Sequence, residues 1–196
     1  WPPTVNSGPA ILAAVNNTKR LPVKIPWGKY GVLDNTSITF PTAGIRKYMG
    51  GIFGDGNYNH MGDFDSGTWI YTNGTAPLFD YTNVGGVRLE NLALYGPGKA
   101  TVGSTALRIS GTNSKLHFAH LGVGGFETAF QSGRADTCPQ GNDDEITFYK
   151  VDVGPAQDIK YCFRMYSAMA MNWDVIKSNI GGEWAYRGET CGGYYG

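Results

Sequence analysis

Four carboxylates stand close together in the second half of the chain. Asp143, Asp144 and Glu145 are consecutive, and Asp152 follows seven residues after Glu145. Two carboxyl groups can divide the work of general acid and general base when burial sets their pKa values apart. We therefore take these four residues as the candidate catalytic set. The alternative interpretation is a solvated acidic turn.

A second group of oxygen-bearing side chains begins at position 55. The alternation of Asp55, Asn57 and Asn59 is similar to the start of a calcium-binding loop. His60 and Ser66 stand where that loop has its glycine and its last glutamate. We expect no cofactor, and these three residues are the candidates if the chain binds calcium.

Three cysteines are spread over the second half of the chain. Cys138, Cys162 and Cys191 are separated by 24 and 29 residues, which matches no zinc-binding spacing. Small buried thiols are the expectation, and a disulfide between two of them is the alternative.

The composition narrows the classes of function. The formal net charge is zero, which argues against nucleic acid as the main partner. No run of about eighteen apolar residues is present, so we expect no membrane span. Glycine is frequent, charged residues make up only 16% of the chain and aromatic residues make up 13%. Such a composition is typical of many short strands joined by tight turns, with rings available for sugar or subunit contacts.

Candidate elements follow from local patterns. The stretch from Ser7 to Val15 predicts a helix, with Ser7 as the N-cap, Pro9 in the first turn and an apolar stripe through Ile11. Further on, four segments share the pattern apolar-x-apolar-x-x-apolar, and their starts are separated by 29, 30 and 25 residues. They begin at Val87, Leu116, Ile146 and Met171.

Repeats of this length predict a solenoid. The break in alternation indicates a bend between two short strands in each repeat, and each repeat is preceded by another apolar strand. The predicted fold is all-β, a single-stranded right-handed parallel β-helix whose rungs stack into one core. Residues 1–20 are assigned to an N-terminal capping helix and residues 21–196 to the rungs of one domain, as part of a longer chain. An immunoglobulin-like sandwich is the alternative, although its strands would recur every 8 to 12 residues.

The repeat register predicts two outward columns of side chains. The first contains Arg88, His117, Thr147 and Asn172. The second contains Glu90, Ala119, Tyr149 and Asp174. Neighbouring rungs are about 4.8 Å apart, so Glu90 and Asp174 would be about 14 Å apart, too far for a glycosidase pair. The candidate carbohydrate-binding residues are Tyr149, Asp174, Arg88 and His117.

Several motifs resemble the pectate-lyase-like β-helix superfamily. They are the helix at residues 9–14, the strands at residues 25–30 and 51–56, and the first repeat at residues 87–92. The closest similarity is to the β-helix domains of bacteriophage tailspikes and tail fibres. This resemblance implies a homotrimer in a larger assembly, on a virion or outside the cell, with surface polysaccharide as the partner.

Three functions are compatible with this resemblance. The first is a virion module that binds cell-surface polysaccharide and also depolymerises it if a catalytic site is present. The second is a secreted polysaccharide lyase or glycoside hydrolase. The third is a structural or adhesin β-helix without catalysis. Function depends on the site and not on the fold, so the outward columns must decide among them.

Overall fold

The computed structural model describes residues 3–17, 21–41, 50–56, 67–134, 143–166 and 170–189. Within these ranges the chain has one helix and fifteen strands, which confirms the all-β class. The helix, α1, is Gly8–Asn17. The strands are β1 Val23–Lys24, β2 Gly28–Val32, β3 Ile38–Thr39, β4 Gly51–Phe53, β5 Thr68–Thr72, β6 Phe79–Thr82, β7 Arg88–Tyr95, β8 Thr105–Ser110, β9 Asn113–Gly124, β10 Thr128–Ser132, β11 Asp143–Tyr149, β12 Asp152–Val153, β13 Tyr161–Met165, β14 Ala170–Ile176 and β15 Trp184–Gly188.

The strands form two parallel sheets. The nine-stranded sheet follows the order β1-β4-β7-β9-β11-β14, with β12 beside β9 and β2 joined to β7 through β5. The six-stranded sheet follows the order β15-β13-β10-β8-β6-β3. Each of these strand pairs is parallel. An immunoglobulin-like sandwich is therefore excluded for the described strands, because its sheets are antiparallel.

The first three repeats pair in the predicted register. Leu89 lies beside Phe118, and Phe118 lies beside Phe148. The apolar positions of these repeats are all buried, as predicted. They are Val87, Leu89, Leu92 and Leu94 in the first repeat, Leu116, Phe118, Leu121 and Val123 in the second, and Ile146, Phe148, Val151 and Val153 in the third.

The predicted register of the fourth repeat was wrong by two residues. Ile146 pairs with Trp173, where the sequence pattern had suggested Met171. Asp174 therefore lies beside Thr147, and Ile176 lies beside Tyr149. The segment contains apolar residues in both registers, so hydrophobic alternation alone could not distinguish them. The left-handed backbone of the bends gives the correct alignment.

Two columns of left-handed residues mark the bends. Asn91, His120, Lys150 and Lys177 have φ values of 59, 52, 50 and 51°. They follow the paired positions of β7, β9, β11 and β14, which confirms the bend predicted from the break in alternation. A second column has φ values of 69, 57, 53 and 55°. Its members are Gly86, Lys115, Glu145 and Asn172. A left-handed residue turns the strand sharply, so the chain leaves one face and begins the next.

Aromatic rings fill the space between the two sheets. Phe148 lies at the centre, with its ring centroid 5.2 Å from that of Phe118, 4.8 Å from that of Phe130 and 5.3 Å from that of Phe163. Trp173 contacts the same ring at 5.6 Å. The core is therefore continuous from strand to strand.

Helix α1 lies within the range predicted for it. The Oδ1 atom of Asn6 accepts hydrogen bonds from the backbone N–H groups of Gly8 and Leu33, which ties the start of the helix to the end of β2. Ile11 and Val15 are buried in the core. The helix contacts β2 and β3, two strands at the edges of their sheets.

Candidate functional site

One outward column crosses four neighbouring strands of the nine-stranded sheet. Arg88 pairs with His117, His117 with Thr147, and Thr147 with Asp174. Asp174 thus takes the place predicted for Asn172, because of the two-residue shift of β14. Three of the predicted carbohydrate-binding residues, Arg88, His117 and Asp174, are therefore in one column.

An open polar groove follows this column. It has a volume of about 360 Å³. Its lining combines the outward column with the second column of bend residues. The lining residues are Gly86, Arg88, Lys115, Leu116, His117, Glu145 and Thr147. Because the bend residues turn the backbone at this place, their side chains form one wall beside the flat face of the sheet. The groove shall be called the Arg88 groove.

Charges of both signs meet in the Arg88 groove. The Nε atom of Arg88 lies 2.9 Å from Oε1 of Glu90, and Nε2 of His117 lies 3.8 Å from the same oxygen. Lys115 and Glu145 lie 3.9 Å apart along the wall. The Oε1 atom of Glu90 is buried and accepts no well-oriented hydrogen bond from the described part of the chain. A hydroxyl group of a ligand could donate to this oxygen.

His117 is largely neutral at pH 7. Partial burial lowers the pKa of its imidazole below the ordinary value of 6.5, and the positive charge of Arg88 acts in the same direction. Glu90 opposes the shift, but burial is the largest cause. A neutral imidazole retains a basic nitrogen, so His117 can accept a proton in this groove.

A titration of His117 tests this electrostatic arrangement. We expect NMR to give a pKa below 6.5, a further decrease in the Glu90→Gln variant and an increase in the Arg88→Ala variant. Because the unfolded state binds the proton more tightly, His117 should reduce the free energy of unfolding as the pH falls through 6.5. A pKa of His117 above 6.5 in the unaltered protein would contradict the arrangement.

Tyr149 lies on the same face, in the neighbouring column. It pairs with Ala119 and Ile176, so the predicted contact with Asp174 is replaced by Ile176. The ring of Tyr149 makes an edge contact with His120, with centroids 5.7 Å apart, and Lys150 Nζ lies 5.4 Å from its centroid. Tyr149 is thus held beside the bend and does not line the Arg88 groove.

The four candidate catalytic carboxylates do not share one cavity. Glu145 lines the Arg88 groove. Asp152 follows the bend at Lys150, accepts a hydrogen bond of 2.8 Å from Asn179 and lines a separate cavity. For Asp143 and Asp144 the structure gives the backbone pairing with Asn113 and Ser114 but not the side chains. The set predicted from sequence proximity is divided by the bends at Glu145 and Lys150.

The candidate calcium ligands are only partly described. Asp55 forms an ion pair with Lys24 and accepts a hydrogen bond of 3.0 Å from the backbone N–H of Trp27. The hydrogen bond with Lys24 lowers the pKa of this carboxyl below its ordinary value. Asn57 and Asn59 lie outside the described residues. Within the described ranges, no three His, Cys, Asp or Glu side chains are grouped as metal ligands.

The outer face of the six-stranded sheet contains a charged cluster that sequence reasoning missed. Glu127 is buried and accepts a hydrogen bond of 2.7 Å from the backbone N–H of Gly103. Lys160 and Arg164 lie 3.7 and 3.6 Å from its carboxylate. Glu189 accepts hydrogen bonds from Arg164 and Arg187, at 2.8 and 2.9 Å.

An aromatic ring lies at the centre of this cluster. The centroid of the Tyr161 ring is 5.0 Å from Lys160 Nζ, 4.9 Å from Arg164 Cζ and 5.4 Å from Arg187 Cζ. Arg164 pairs with both Gln131 and Arg187, so the same repeat spacing could have placed these residues in one column. The shorter strands of this sheet had been identified, but their outward residues had not been aligned.

One of the three cysteines is described. Cys162 is a free thiol in the core, and burial raises its pKa well above the ordinary value. This agrees with the expectation of a buried thiol at this position. Cys138 and Cys191 lie outside the described residues.

No described helix is long and apolar enough to cross a bilayer. Comparison with known proteins gave no family model, no curated protein and no solved structure that matches the chain. Function is therefore inferred from the geometry of the two outer faces.

Proposed function

We propose that the chain is a right-handed parallel β-helix that binds cell-surface polysaccharide as a module of a virion tailspike or tail fibre. Parallel pairing throughout the described strands supports the solenoid. Partner residues on neighbouring strands are 23 to 41 residues apart in the chain, enough for one circuit through both sheets. Crossovers between parallel strands are right-handed in nearly all proteins.

Helix α1 acts as the cap of one end in this proposal. It contacts edge strands of both sheets and buries Ile11 and Val15 against the core. A solenoid needs such a cap because the last strand would otherwise present unpaired backbone groups and apolar side chains to water.

The Arg88 groove is the observation that carries the polysaccharide proposal. Residues from three neighbouring strands line it, so it can follow a ligand along the stack. Arg88 and Lys115 supply donors for hydroxyl or carboxylate oxygens, and Thr147 and Glu145 supply acceptors. Sugars need this mixture, because each residue of a glycan has both donor and acceptor groups.

The assembly state follows the resemblance to tailspikes. The proposal includes a homotrimer within a larger particle and a location on the virion or outside the cell. Sedimentation of the purified chain tests the trimer independently of sugar binding, since the two properties involve different surfaces.

Binding to purified bacterial capsule and lipopolysaccharide glycans tests the proposed function. We expect the protein to bind at least one of them, and Arg88→Ala to weaken binding by about tenfold or more. Loss of a charge-assisted hydrogen bond of roughly 1.5–3 kcal/mol gives this effect. Isothermal titration calorimetry measures it.

Arg187→Ala is the matched control for this experiment. It removes one arginine from the six-stranded sheet, where Arg187 binds Glu189 away from the groove. This variant should bind like the unaltered protein. Equal weakening by both substitutions would show non-specific electrostatic attraction and contradict a site at Arg88. No binding across the panel would favour the structural module instead.

Cleavage of an acidic polysaccharide is a second candidate function, and the neutral His117 favours it. In an elimination, Nε2 of His117 takes the proton from the carbon beside the sugar carboxylate. The released electron pair forms a carbon–carbon double bond, the glycosidic C–O bond breaks, and water protonates the leaving oxygen. Unsaturated products that disappear in His117→Gln would support this reaction. A bound polysaccharide that yields no product would leave binding as the function.

A further inference from the structure

A second cavity lies on the other side of the bend from the Arg88 groove. It has a volume of about 290 Å³. Its lining comes from the third and fourth repeats and contains two ammonium groups and one carboxylate. The lining residues are Lys150, Val151, Asp152, Lys177 and Asn179. Asp152 is engaged by Asn179, whose side-chain N–H donates to it at 2.8 Å. The cavity therefore has a positive excess.

The two lysines occupy equivalent positions on neighbouring strands. Each follows a member of the Tyr149–Ile176 pair, and the backbone N–H of Lys150 donates to the carbonyl of Ile176 at 2.9 Å. Neighbouring parallel strands are about 4.8 Å apart, so two like charges are stacked at this corner. Stacked like charges are destabilising unless something compensates them. Neither ammonium group forms an ion pair with a residue in the described ranges.

The backbone adds a second unfavourable feature at the same two residues. Lys150 and Lys177 are both left-handed, with φ values of 50 and 51°. Asparagine and glycine tolerate this conformation better than lysine does, and asparagine stands at the equivalent position of the first repeat, Asn91. Strained residues retained in a cavity are characteristic of functional sites.

The other bend columns show what the fold itself requires. In the column beside the Arg88 groove, Lys115 is followed by Glu145, and these opposite charges form an ion pair. At the ends of β6, β8 and β10 the left-handed residues are Asn83, Gly111 and Gly133. Among the described left-handed residues, only Lys150 and Lys177 place like charges on adjacent strands.

We infer that Lys150 and Lys177 form a binding site for a tetrahedral oxyanion, a sulfate or phosphate ester. Two ammonium groups on adjacent strands can donate to different oxygens of one such group, and its charge removes their mutual repulsion. Asn179 borders the same cavity and provides a polar amide. The site is separate from the Arg88 groove, so it does not depend on the function proposed for that groove.

The test uses the full chain with dextran sulfate, sodium polyphosphate and unmodified dextran as probes. The Lys150→Asn/Lys177→Asn double variant should bind the preferred anionic probe about tenfold more weakly or worse. Its Tm should stay the same or rise by a few degrees, because asparagine relieves the left-handed strain and removes the repulsion. Comparison of the two anionic probes, with competition by inorganic sulfate and inorganic phosphate, distinguishes the two esters.

The control variant is Lys24→Asn/Lys29→Asn, which removes the same charge from β1 and β2. It should bind each anionic probe within about twofold of the unaltered protein. Lys150→Arg/Lys177→Arg should retain binding because it keeps both charges. The inference is overturned if neither anionic probe binds, if the control weakens binding as much as the asparagine variant, or if the asparagine variant lowers the Tm. The last result would show that the lysines stabilise the fold.

Discussion

Phe148→Ala is expected to lower the free energy of unfolding by roughly 3–5 kcal/mol, the largest effect of any substitution considered for this chain. Phe148 is fully buried, and its ring contacts those of Phe118, Phe130, Phe163 and Trp173. Alanine would leave a cavity that the surrounding strands cannot close, because each is held in register by its neighbours. Chemical denaturation measures the change.

Val175→Ala is the matched control for this core substitution. Val175 pairs with Phe148 on the next strand, yet 45% of its surface is exposed. Its truncation should change stability by no more than about 0.5 kcal/mol, since little buried surface is lost. Similar losses for the two variants would show that the core does not have its centre at Phe148.

Glu127→Ala is expected to lower the free energy of unfolding by roughly 2–3 kcal/mol. The buried carboxylate accepts the backbone N–H of Gly103 at 2.7 Å. Alanine leaves this donor without its acceptor, and removal of a hydrogen bond to a charged group has an effect of this size. The nearby cations are partly exposed, so solvent screening limits their share of the loss.

Glu127→Gln separates the hydrogen bond from the charge. Glutamine keeps an acceptor for Gly103 but has no charge for Arg164, so we expect about half the loss seen with alanine. Denaturant titrations of both variants at one ionic strength measure the difference. An equal loss in the two variants would assign the stability to the ion pairs. No loss in either would contradict a structural role for Glu127.

Hydrophobic alternation predicted the first three repeats, because their inward residues leave only one register with a buried face. Leu89, Phe118 and Phe148 define that face. The same criterion failed for the fourth repeat. Val175 and Ile176 are adjacent apolar residues and both are exposed, so burial does not select between their faces. The bend at Lys177, recognised from its backbone conformation, determines the register instead.

Part of the candidate site was also predictable from the sequence. Arg88 and His117 were placed together because both stand at the second position of their repeats. The separation of Glu145 from Asp152 was not predictable, since it depends on two left-handed bends and neither bend residue is glycine. The cluster around Glu127 was missed for a related reason. Its members come from segments distant in sequence, and only the pairing of β13 with β10 and β15 brings them together.

The sequence by itself determined the all-β class, the position of helix α1 and the repeat that aligns Arg88 with His117. These features are encoded locally, by the alternation of apolar residues and by residue spacing. Only the tertiary structure decided which side chains share the Arg88 groove, which charges surround Tyr161 and where Lys150 meets Lys177. Such contacts depend on the register between strands and on the direction of each bend, and a shift of two residues replaces one neighbour with another.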